Sequence, residues 1–550
     1  MEKTRAELIA DWVERVKLED VPRGTLVKAK YQIMNVLAAV HAGSVSKGGR
    51  IILDTVRDWK MPGKCTIIPT GEKTSLIGAV LTNSSFSMAY DFDDYMFMGH
   101  TCHSAVVTSL AVAEERGLSG RDALLAQVVA NEVGGRTGAS VLLGPHNGQT
   151  WSFIHAIESA CAAAKLMSLR SDEIANAIAI SMYQPNYVLF PGFMGPDTKL
   201  LTASVPSVTG VLAAQLASRG FTGSRKILEH EQGFVANFSY VPLDFMLDGF
   251  GETWVTDSIA YKKYPGCAYV DTTADCLMNI MEQFRARKGR WMEANDVDAV
   301  TVNSSMLTVL MDDLSGEHID SQRPSPVSIN FSIPLSVALT LLTGRLATDE
   351  LKQEYIDAHR DEMIALSKKV TLTHNWSMTL AVVKAMDDAK LLELVSSHVG
   401  ARQLMRSRKE LQANFERKLS PLGELVNFRR QTKKEDRKFV RRLLKKMLLE
   451  RSRNTRHLGD LNMSELKMPF PAEVILRTKN GEEYRALQTI PVGGGYAQNE
   501  AFDMVTKKFR TETSKCLSEE NISRAIDAIK NFEKVDDAGK FIKTCCVKST

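Results

Sequence analysis

The chain has 550 residues, of which 44% are hydrophobic and 24% are charged. This length exceeds what one compact core accommodates, so two or three domains are expected. The sequence begins with charged residues and has no uninterrupted apolar stretch of about 18 residues, so it predicts neither a secretory signal nor a membrane-spanning helix. The eight cysteines are scattered, without Cys-x-x-Cys spacing. Free thiols in a reducing compartment, most simply the cytoplasm, are therefore expected.

Residues 1–265 show mostly helical patterns. Apolar residues recur with a period near 3.6 in stretches such as 154–167, 172–180 and 210–217. Their many small side chains suit closely packed helices, and glycines follow several of them, as at Gly220. These residues are predicted to form an all-α domain.

A short polar segment interrupts this helical region. It carries three carboxylates and two imidazoles within thirteen residues: Asp91, Asp93, Asp94, His100 and His103. The apolar run at 104–114 that follows has the composition of a buried helix, and polar groups at such a position cost free energy unless partners or a ligand satisfy them. Asp and His also supply a proton acceptor and a donor near neutral pH, which makes the segment the first candidate for catalysis. The structural alternative is a capping cluster at a helix start.

From residue 266 onward the pattern mixes strands with helices. Alternating residues predict strands at 298–303, 369–374 and 472–484, with a hairpin turn at Asn480-Gly481. Helical patterns occur at 272–287 and 333–342, and residues 266–490 are therefore predicted to form an α+β domain. Residues 491–550 return to helix. The expected fold class is mainly α.

A helical insertion is predicted within this domain at about 387–461. Residues 401–460 contain 19 Lys or Arg against 7 Asp or Glu, a local charge of +12 within a total of +4. Aromatic residues are nearly absent there, while apolar residues recur at helical spacing. An amphipathic helix with a solvated basic face, packed on the α+β domain or a partner subunit, is favoured over a nucleic-acid or anionic-membrane patch. Neither nucleic acid nor a membrane is expected as a partner.

Several short motifs occur along the chain in a characteristic order and spacing. They are Tyr90-Asp-Phe-Asp-Asp94 with a following His, Glu132-Val-Gly-Gly-Arg136, Ala162-Ala-Ala-Lys-Leu166, Lys199-Leu-Leu201, Gly220-Phe-Thr-Gly223, Lys262-Lys-Tyr-Pro-Gly-Cys267, Arg323-Pro324, Asn330-Phe-Ser-Ile-Pro334 and Asn480-Gly481. With them the chain resembles the MmgE/PrpD family, which includes 2-methylcitrate dehydratase, cis-aconitate decarboxylase and iminodisuccinate epimerase. The resemblance implies a large helical domain formed by both chain ends (1–265 and 491–550) and a smaller α+β lid domain (266–490). It also implies a homodimer that works without a metal or an organic cofactor.

The family's chemistry acts on small di- and tricarboxylates through a proton next to a carboxylate. The resemblance implies catalytic roles for Asp93, Asp94, His100, His103, Lys199 and Lys262. It implies substrate-binding roles for Asp91, Thr150, Thr202, Lys263, Cys267 and Leu335. An Asp/His pair would transfer the proton while lysines hold the substrate carboxylates. Whether Lys262 or its neighbour Lys263 is the family's lysine is left open.

The chain departs from the family pattern at several polar positions. Thr150 and Thr202 stand where the family has histidines, Ala268 where an arginine is common, and Leu335 where a tyrosine is usual. His146 and His155 flank position 150 and are candidates to replace its histidine. These departures indicate a divergent substrate. A cofactor-independent lyase is predicted, with dehydration as the first reaction, epimerisation second and decarboxylation third; the alternative of another class is a non-catalytic binding or regulatory homologue.

Overall fold

A computed structural model describes residues 2–144, 148–149, 151–320, 323–400, 403, 421–449, 457–461, 463–494 and 498–547. Helices dominate this part of the chain and the strands are few and mostly short, in agreement with the predicted mainly α class.

The first 265 residues form helices with three small strand pairs. The helices are α1 (Arg5–Arg15), α2 (Arg23–Ser44), α3 (Lys47–Asp58), α4 (Leu76–Met88), α5 (Cys102–Arg116), α6 (Gly120–Ser140), α7 (Ile154–Leu166), α8 (Ser171–Met182), α9 (Phe190–Phe193), α10 (Leu201–Ala217) and α11 (Phe234–Phe238). The strands are β1 (Cys65–Thr66), β2 (Lys73–Thr74), β3 (Asp94–Tyr95), β4 (Gly148–Gln149), β5 (Val188–Leu189) and β6 (Ala260–Tyr261). They pair as β1 with β2, β3 with β6 and β4 with β5, all antiparallel.

Small residues allow these helices to pack closely. Helix α10 packs against α7, α8 and α4, and a Cβ atom on Gly210 would lie only 2.1 Å from the backbone oxygen of Ala156 on α7. The stretch Asp197–Ala217 has the length and the mean hydropathy, 1.5, of a membrane-spanning helix, but 61% of its apolar window is buried in the bundle. Its hydrophobicity is therefore accounted for by its place in a helical core.

The middle of the chain combines helices with a four-stranded sheet. Its helices are α12 (Ala268–Lys288), α13 (Met306–Gly316), α14 (Pro326–Phe331), α15 (Ile333–Thr343), α16 (Gln353–Ala358), α17 (Arg360–Ser367), α18 (Trp376–Asp388), α19 (Leu391–His398), α20 (Pro421–Gln431) and α21 (Lys434–Leu449). Its strands are β7 (Val297–Ser304), β8 (Val370–His374), β9 (Ala472–Thr478) and β10 (Glu483–Gln488), in the order β10-β9-β7-β8. Strands β7 and β8 are parallel and the other pairs are antiparallel. The predicted hairpin joins β9 to β10, with Gly481 at a φ of 78°.

The basic insertion is described only in part. Helices α20 and α21 flank a break at 432–433, and α21 pairs with α18 through Lys384–Asp436 and Arg442–Asp387. Most of residues 401–420 and all of 450–456 lie outside the described residues.

The C-terminal helices return to the N-terminal bundle. Helix α22 (Gln498–Thr513) packs on α2, and α23 (Glu519–Lys530) and α24 (Ala538–Thr544) pack on α2 and α5 respectively. Apolar residues of both chain ends share one hydrophobic core, while α12, α15 and the four-stranded sheet enclose a second one. The loop between α4 and α5 lies where these two cores meet, since Tyr90 and Phe92 belong to the second core and Met96 and Phe97 to the first.

Candidate active site

The α4–α5 loop holds its carboxylates through an unusual backbone turn and one strand pair. Asp91 has a φ of 51°, a left-handed conformation that non-glycine residues seldom adopt. Strand β3 then pairs with β6, Asp94 facing Tyr261, and the Lys262 N–H donates to the backbone oxygen of Asp93 at 3.2 Å. This pairing brings Lys262, which follows Asp93 by 169 residues in the chain, to the centre of the polar segment.

Two lysines and two aspartates form a buried, charge-balanced cluster. The Nζ of Lys262 donates to the backbone oxygen and Oδ2 of Asp91, both at 3.0 Å, and to Oδ1 of Asp93. The Nζ of Lys199 donates to Oδ1 of Asp91 at 2.7 Å. Both lysine side chains have no exposed surface. Burying four charges is tolerable only because each is paired with an opposite one.

This pairing keeps both carboxylates ionised. Burial raises the pKa of Asp91, but the charges of Lys199 and Lys262 outweigh it and lower that pKa to about 2. Burial likewise opposes ionisation of Asp93, whose pKa is nevertheless held well below its usual range by Lys262, His100 and His103. Burial lowers the pKa of the Lys262 ammonium, and the two carboxylates reverse this and raise it.

Asp93 also orients both histidines of the segment. The Nδ1–H of His100 donates to Oδ2 of Asp93 at 2.7 Å and approaches the backbone oxygen of Asp94 at 3.0 Å. The Nε2–H of His103 donates to the same Oδ2 at 3.1 Å, and its Nδ1 lies 2.8 Å from the Ser87 hydroxyl. An ionised carboxylate can only accept, so these contacts fix which ring nitrogens carry protons.

The two histidines differ in accessibility. His103 is fully buried and engaged at both nitrogens, and burial lowers its pKa against the opposing pull of Asp93. His100 is 23% exposed, and among the described residues its Nε2 has no hydrogen-bond partner. His100 is therefore the imidazole that can exchange a proton with a bound molecule.

Asp94 has a different environment from its neighbours. It accepts from Gln32 Nε2 at 3.1 Å and from Asn35 Nδ2 at 3.3 Å, and no lysine contacts it in the described part of the chain. Burial and the adjacent charge of Asp93 raise the pKa of Asp94 to about 7. The structure therefore separates the Asp pair into an ionised, lysine-bound Asp93 and a weakly acidic Asp94.

The sequence that contains this site also matches known family domains. The sequence matches the MmgE/PrpD N-terminal domain over residues 7–243 and the MmgE/PrpD C-terminal domain over residues 264–432. The chain belongs to the MmgE/PrpD family. The first match contains the α4–α5 loop and Lys199, and the second contains Cys267 and α14.

Three relatives of this chain carry the name of cis-aconitate decarboxylase or of a protein like it. Cis-aconitate decarboxylase of Aspergillus terreus is 26% identical over 388 residues, which cover 66% of this chain and 77% of the relative. The cis-aconitate decarboxylase-like protein oryM of Aspergillus oryzae is 24% identical, covering 67% and 79%. Cis-aconitate decarboxylase of Homo sapiens is 27% identical over 226 residues, covering 38% and 45%.

The predicted substrate-binding residues that the structure describes lie in different environments. Asp91 is inside it, and Cys267 is half-buried beside it, with burial and then Asp91 raising the pKa of its thiol to about 12. Thr202 is buried in the first turn of α10, and its hydroxyl has no partner among the described side chains. Leu335 is buried in the second core, next to the start of α15. Thr150 and His146 lie outside the described residues.

Lys263 is directed away from the cluster. Its Nζ pairs with Oδ1 of Asp275 at 2.5 Å and its side chain is 35% exposed. Lys262 follows directly after strand β6 and Lys263 comes one residue later; successive side chains along an extended backbone point in opposite directions. Of the two lysines that the sequence left open, Lys262 is the one that the fold places with Asp91 and Asp93.

Lys508 joins the site from α22, the first of the three C-terminal helices, and was not predicted. Its Nζ donates to Asn35 Oδ1 at 2.7 Å, to Phe92 O at 2.8 Å and to Lys262 O at 3.1 Å. It also lies 3.6 Å from the centre of the Phe92 ring. Burial lowers the pKa of Lys508 to about 7. The sequence held one indication that Lys508 is buried, its helical spacing from apolar residues of α22. Lys508 follows Val505 by three residues and precedes Glu512 by four, and both of these residues are buried on the same face.

A second polar layer lies behind His103. Its ring and that of His155 are 6.0 Å apart, and His155 Nδ1 is 2.8 Å from the Ser104 hydroxyl, which also bonds to Glu158. Burial raises the pKa of Glu158 and lowers that of His155, which favours the neutral form of each side chain. His155 is therefore near the site, and it is enclosed one layer behind His103.

The ligand atoms of Asp93, Cys102 and His103 lie within 4.8 Å of one another, close enough to suggest a metal site. However, one oxygen of Asp93 is occupied by the Lys262 ammonium and the other by two imidazoles. Burial, with Asp94 and Asp93 nearby, raises the pKa of the Cys102 thiol well above its usual value. The donor set therefore fits a hydrogen-bonded network better than a cation.

Proposed function

We propose that the protein is a lyase that moves a proton at a carbon next to a carboxylate of a small di- or tricarboxylic acid, without an organic cofactor. The observation that carries the proposal is His100. Its Nδ1 is fixed by an ionised Asp93, its Nε2 is unengaged among the described residues, and it borders the Asp91–Lys199–Lys262 cluster. An oriented imidazole beside buried ammonium groups suits proton transfer to or from a carboxylate-stabilised carbon.

The two lysines have different capacities for a substrate. Lys262 makes three hydrogen bonds, which use all the protons of its ammonium group. Lys199 makes one hydrogen bond within the described residues and is flanked by the Phe331 and Phe193 rings at 4.9 and 5.6 Å. In the proposal Lys199 donates to a substrate carboxylate, while Lys262 holds Asp91 and Asp93 in place.

Decarboxylation is the first reaction that we propose. The bond to a carboxylate breaks, carbon dioxide leaves, and the electron pair is delocalised towards a neighbouring carboxylate. Nε2–H of a charged His100 then delivers one proton to carbon and is reprotonated from solvent at its exposed edge. Two observations support decarboxylation ahead of dehydration. Relatives of the chain are named cis-aconitate decarboxylase or a protein like it, and only one of the two imidazoles hydrogen-bonded to Asp93 is accessible.

Dehydration, the first choice from the sequence, stays as the second candidate. It requires a base at the α-carbon and an acid at the leaving hydroxyl. Asp94, with its pKa raised to about 7, is the observation in its favour, because a carboxyl group that retains a proton can act as an acid. However, Asp94 is fully buried and hydrogen-bonded to two amide side chains, whereas His100 is partly exposed. A reaction that needs only His100 as the proton donor, such as decarboxylation, is therefore favoured.

Incubation with carboxyl-labelled cis-aconitate, followed by NMR, tests the proposal. Release of labelled bicarbonate with a new methylene product supports decarboxylation. A parallel incubation with citrate that gives an unsaturated acid and no bicarbonate would support dehydration instead. Binding without turnover of either compound would favour the non-catalytic alternative and overturn the proposal. A homodimer in the cytoplasm, with neither nucleic-acid nor membrane partners, stays a prediction.

A further inference from the structure

Asn330 is fully buried, yet neither its Nδ2 nor its Oδ1 has a hydrogen-bond partner among the described residues. Other buried asparagines are paired: Asn131 bonds to Gln32 and Thr101, and Asn176 bonds to Asp172 and Gly223. An unpaired buried amide reduces stability, so it calls for a compensating role. A ligand with matching polar groups provides one.

The backbone places Asn330 beside the charged cluster. Its carbonyl oxygen accepts from the Cys267 N–H at 2.8 Å, and a Cβ on Gly266 would lie 3.2 Å from that oxygen. The Gly266 N–H in turn donates to the backbone oxygen of Asp91 at 3.4 Å. The end of α14 is thus attached to the loop that follows Lys262.

The next residue links the same helix to the second lysine. The Phe331 ring lies 4.9 Å from the Nζ of Lys199, and the Phe331 carbonyl accepts from the Tyr269 hydroxyl at 2.7 Å. Asn330 is therefore held between the residues that contact Lys199 and those that contact Asp91. Asn330 directly precedes a residue that contacts Lys199, the lysine with spare hydrogen-bonding capacity, and its own amide is unpaired among the described residues.

We propose that Asn330 is a substrate-binding residue that shares a substrate carboxylate with Lys199. Its Nδ2 donates to one carboxylate oxygen, and its Oδ1 accepts from a hydroxyl or a water beside that carboxylate. A neutral donor next to Lys199 adds a hydrogen bond without adding charge, so the site recognises the shape of the carboxylate as well as its sign. This inference rests on the proposed function, since it takes a small polycarboxylate as the ligand.

Calorimetric binding of cis-aconitate to a His100→Ala parent tests the proposal, because that parent should turn over at least roughly 100-fold more slowly, so that binding is measured with little conversion. Adding Asn330→Leu, which keeps the size and removes the amide, should weaken binding at least about tenfold. Adding Asn176→Leu instead is the matched control on α8, away from the cluster, and should leave the affinity unchanged.

Thermal unfolding without ligand supplies a second readout. Asn330→Leu removes an unpaired amide and should leave the unfolding temperature unchanged or raise it, while Asn176→Leu removes two hydrogen bonds and should lower it. Asn330→Leu binding as tightly as the parent would overturn the inference while the proposed function stands. A parent and a wild-type protein that both bind no polycarboxylate would overturn the proposed function as well.

Discussion

Replacing Lys262 with methionine is the most direct perturbation of the charge-balanced cluster. The substitution keeps an unbranched side chain, one atom shorter than lysine, but removes one of two positive charges and three hydrogen bonds. Asp91 then keeps Lys199, whereas Asp93 keeps only its two histidines. A buried carboxylate that has lost its cationic partner is left uncompensated.

The expected cost follows from the burial of the cluster. Removing one member of a fully buried ion pair costs about 3–5 kcal/mol of unfolding free energy. The unfolding entropy grows with the number of residues, so in a domain of this size that loss of free energy lowers the unfolding temperature by about 5 °C. The pH dependence has a definite sign: the low pKa of Asp91 stabilises the fold above pH about 4, and this stabilisation is lost as the pH falls towards 2. In Lys262→Met the pKa of Asp91 rises, so acid unfolding should begin at a higher pH.

Thermal unfolding monitored by circular dichroism between pH 3 and pH 8 measures both effects. Lys263→Met is the matched control, because Lys263 pairs with Asp275 and is 35% exposed, and it should change the unfolding temperature by no more than about 1 °C. The double variant Lys262→Met/Asp93→Asn restores charge balance and should regain at least half of the lost stability without regaining activity. If Lys262→Met is as stable as Lys263→Met at every pH, the assignment of Lys262 to a buried charge cluster is wrong.

Three further outcomes are expected. His100→Ala should reduce turnover by roughly 100-fold or more and leave the unfolding temperature nearly unchanged. His103→Ala should also destabilise the fold by about 2–4 kcal/mol, because it leaves a cavity where a buried side chain made hydrogen bonds through both ring nitrogens. Kinetics and thermal unfolding of both variants separate the two roles. The pKa of Asp94 is raised to about 7 in the folded protein, so ionisation of this buried carboxyl group lowers the unfolding free energy as the pH rises from about 4 through 7. Asp94→Asn should therefore lose less unfolding temperature between pH 5 and pH 8 than the wild type. Equal losses would refute the raised pKa of Asp94. Lys508→Met should lower the turnover number by roughly 10- to 100-fold with a smaller change in KM, because the Lys508 ammonium holds the backbone of Lys262 and Phe92 in place. An unchanged turnover number would show that these contacts from α22 are dispensable for the site.

The clustering of polar side chains in the α4–α5 loop could be inferred from the sequence because all its signals are local, while the catalytic roles of these residues stay a prediction. Asp91, Asp93, His100 and His103 lie within thirteen residues, directly before a helix whose apolar composition indicates burial. These residues contact one another through the backbone turn at Asp91 and the first turn of α5, both of which are local in the sequence. The ranking of His100 as the accessible histidine, by contrast, depends on the exposure of each ring in the folded chain.

The lysines were accessible to prediction only through the family resemblance. Lys199 lies in a short 3₁₀ turn and Lys262 directly after a two-residue strand, and neither pattern predicts a buried charge. Lys508 lies outside both matched ranges and more than 400 residues from its contact Phe92. Such long-range contacts depend on how the two chain ends pack together, which hydrophobic periodicity alone does not specify.

Solvent-hydrogen transfer to the product tests the central claim, that His100 moves a proton at a carbon next to a carboxylate. The wild-type protein in deuterated water should convert cis-aconitate into a product with one deuterium at the newly protonated carbon, detected by NMR. His100→Ala should lose this incorporation, while His318→Ala, a variant of a histidine outside the cluster, should retain it. Undiminished incorporation by His100→Ala would contradict the account.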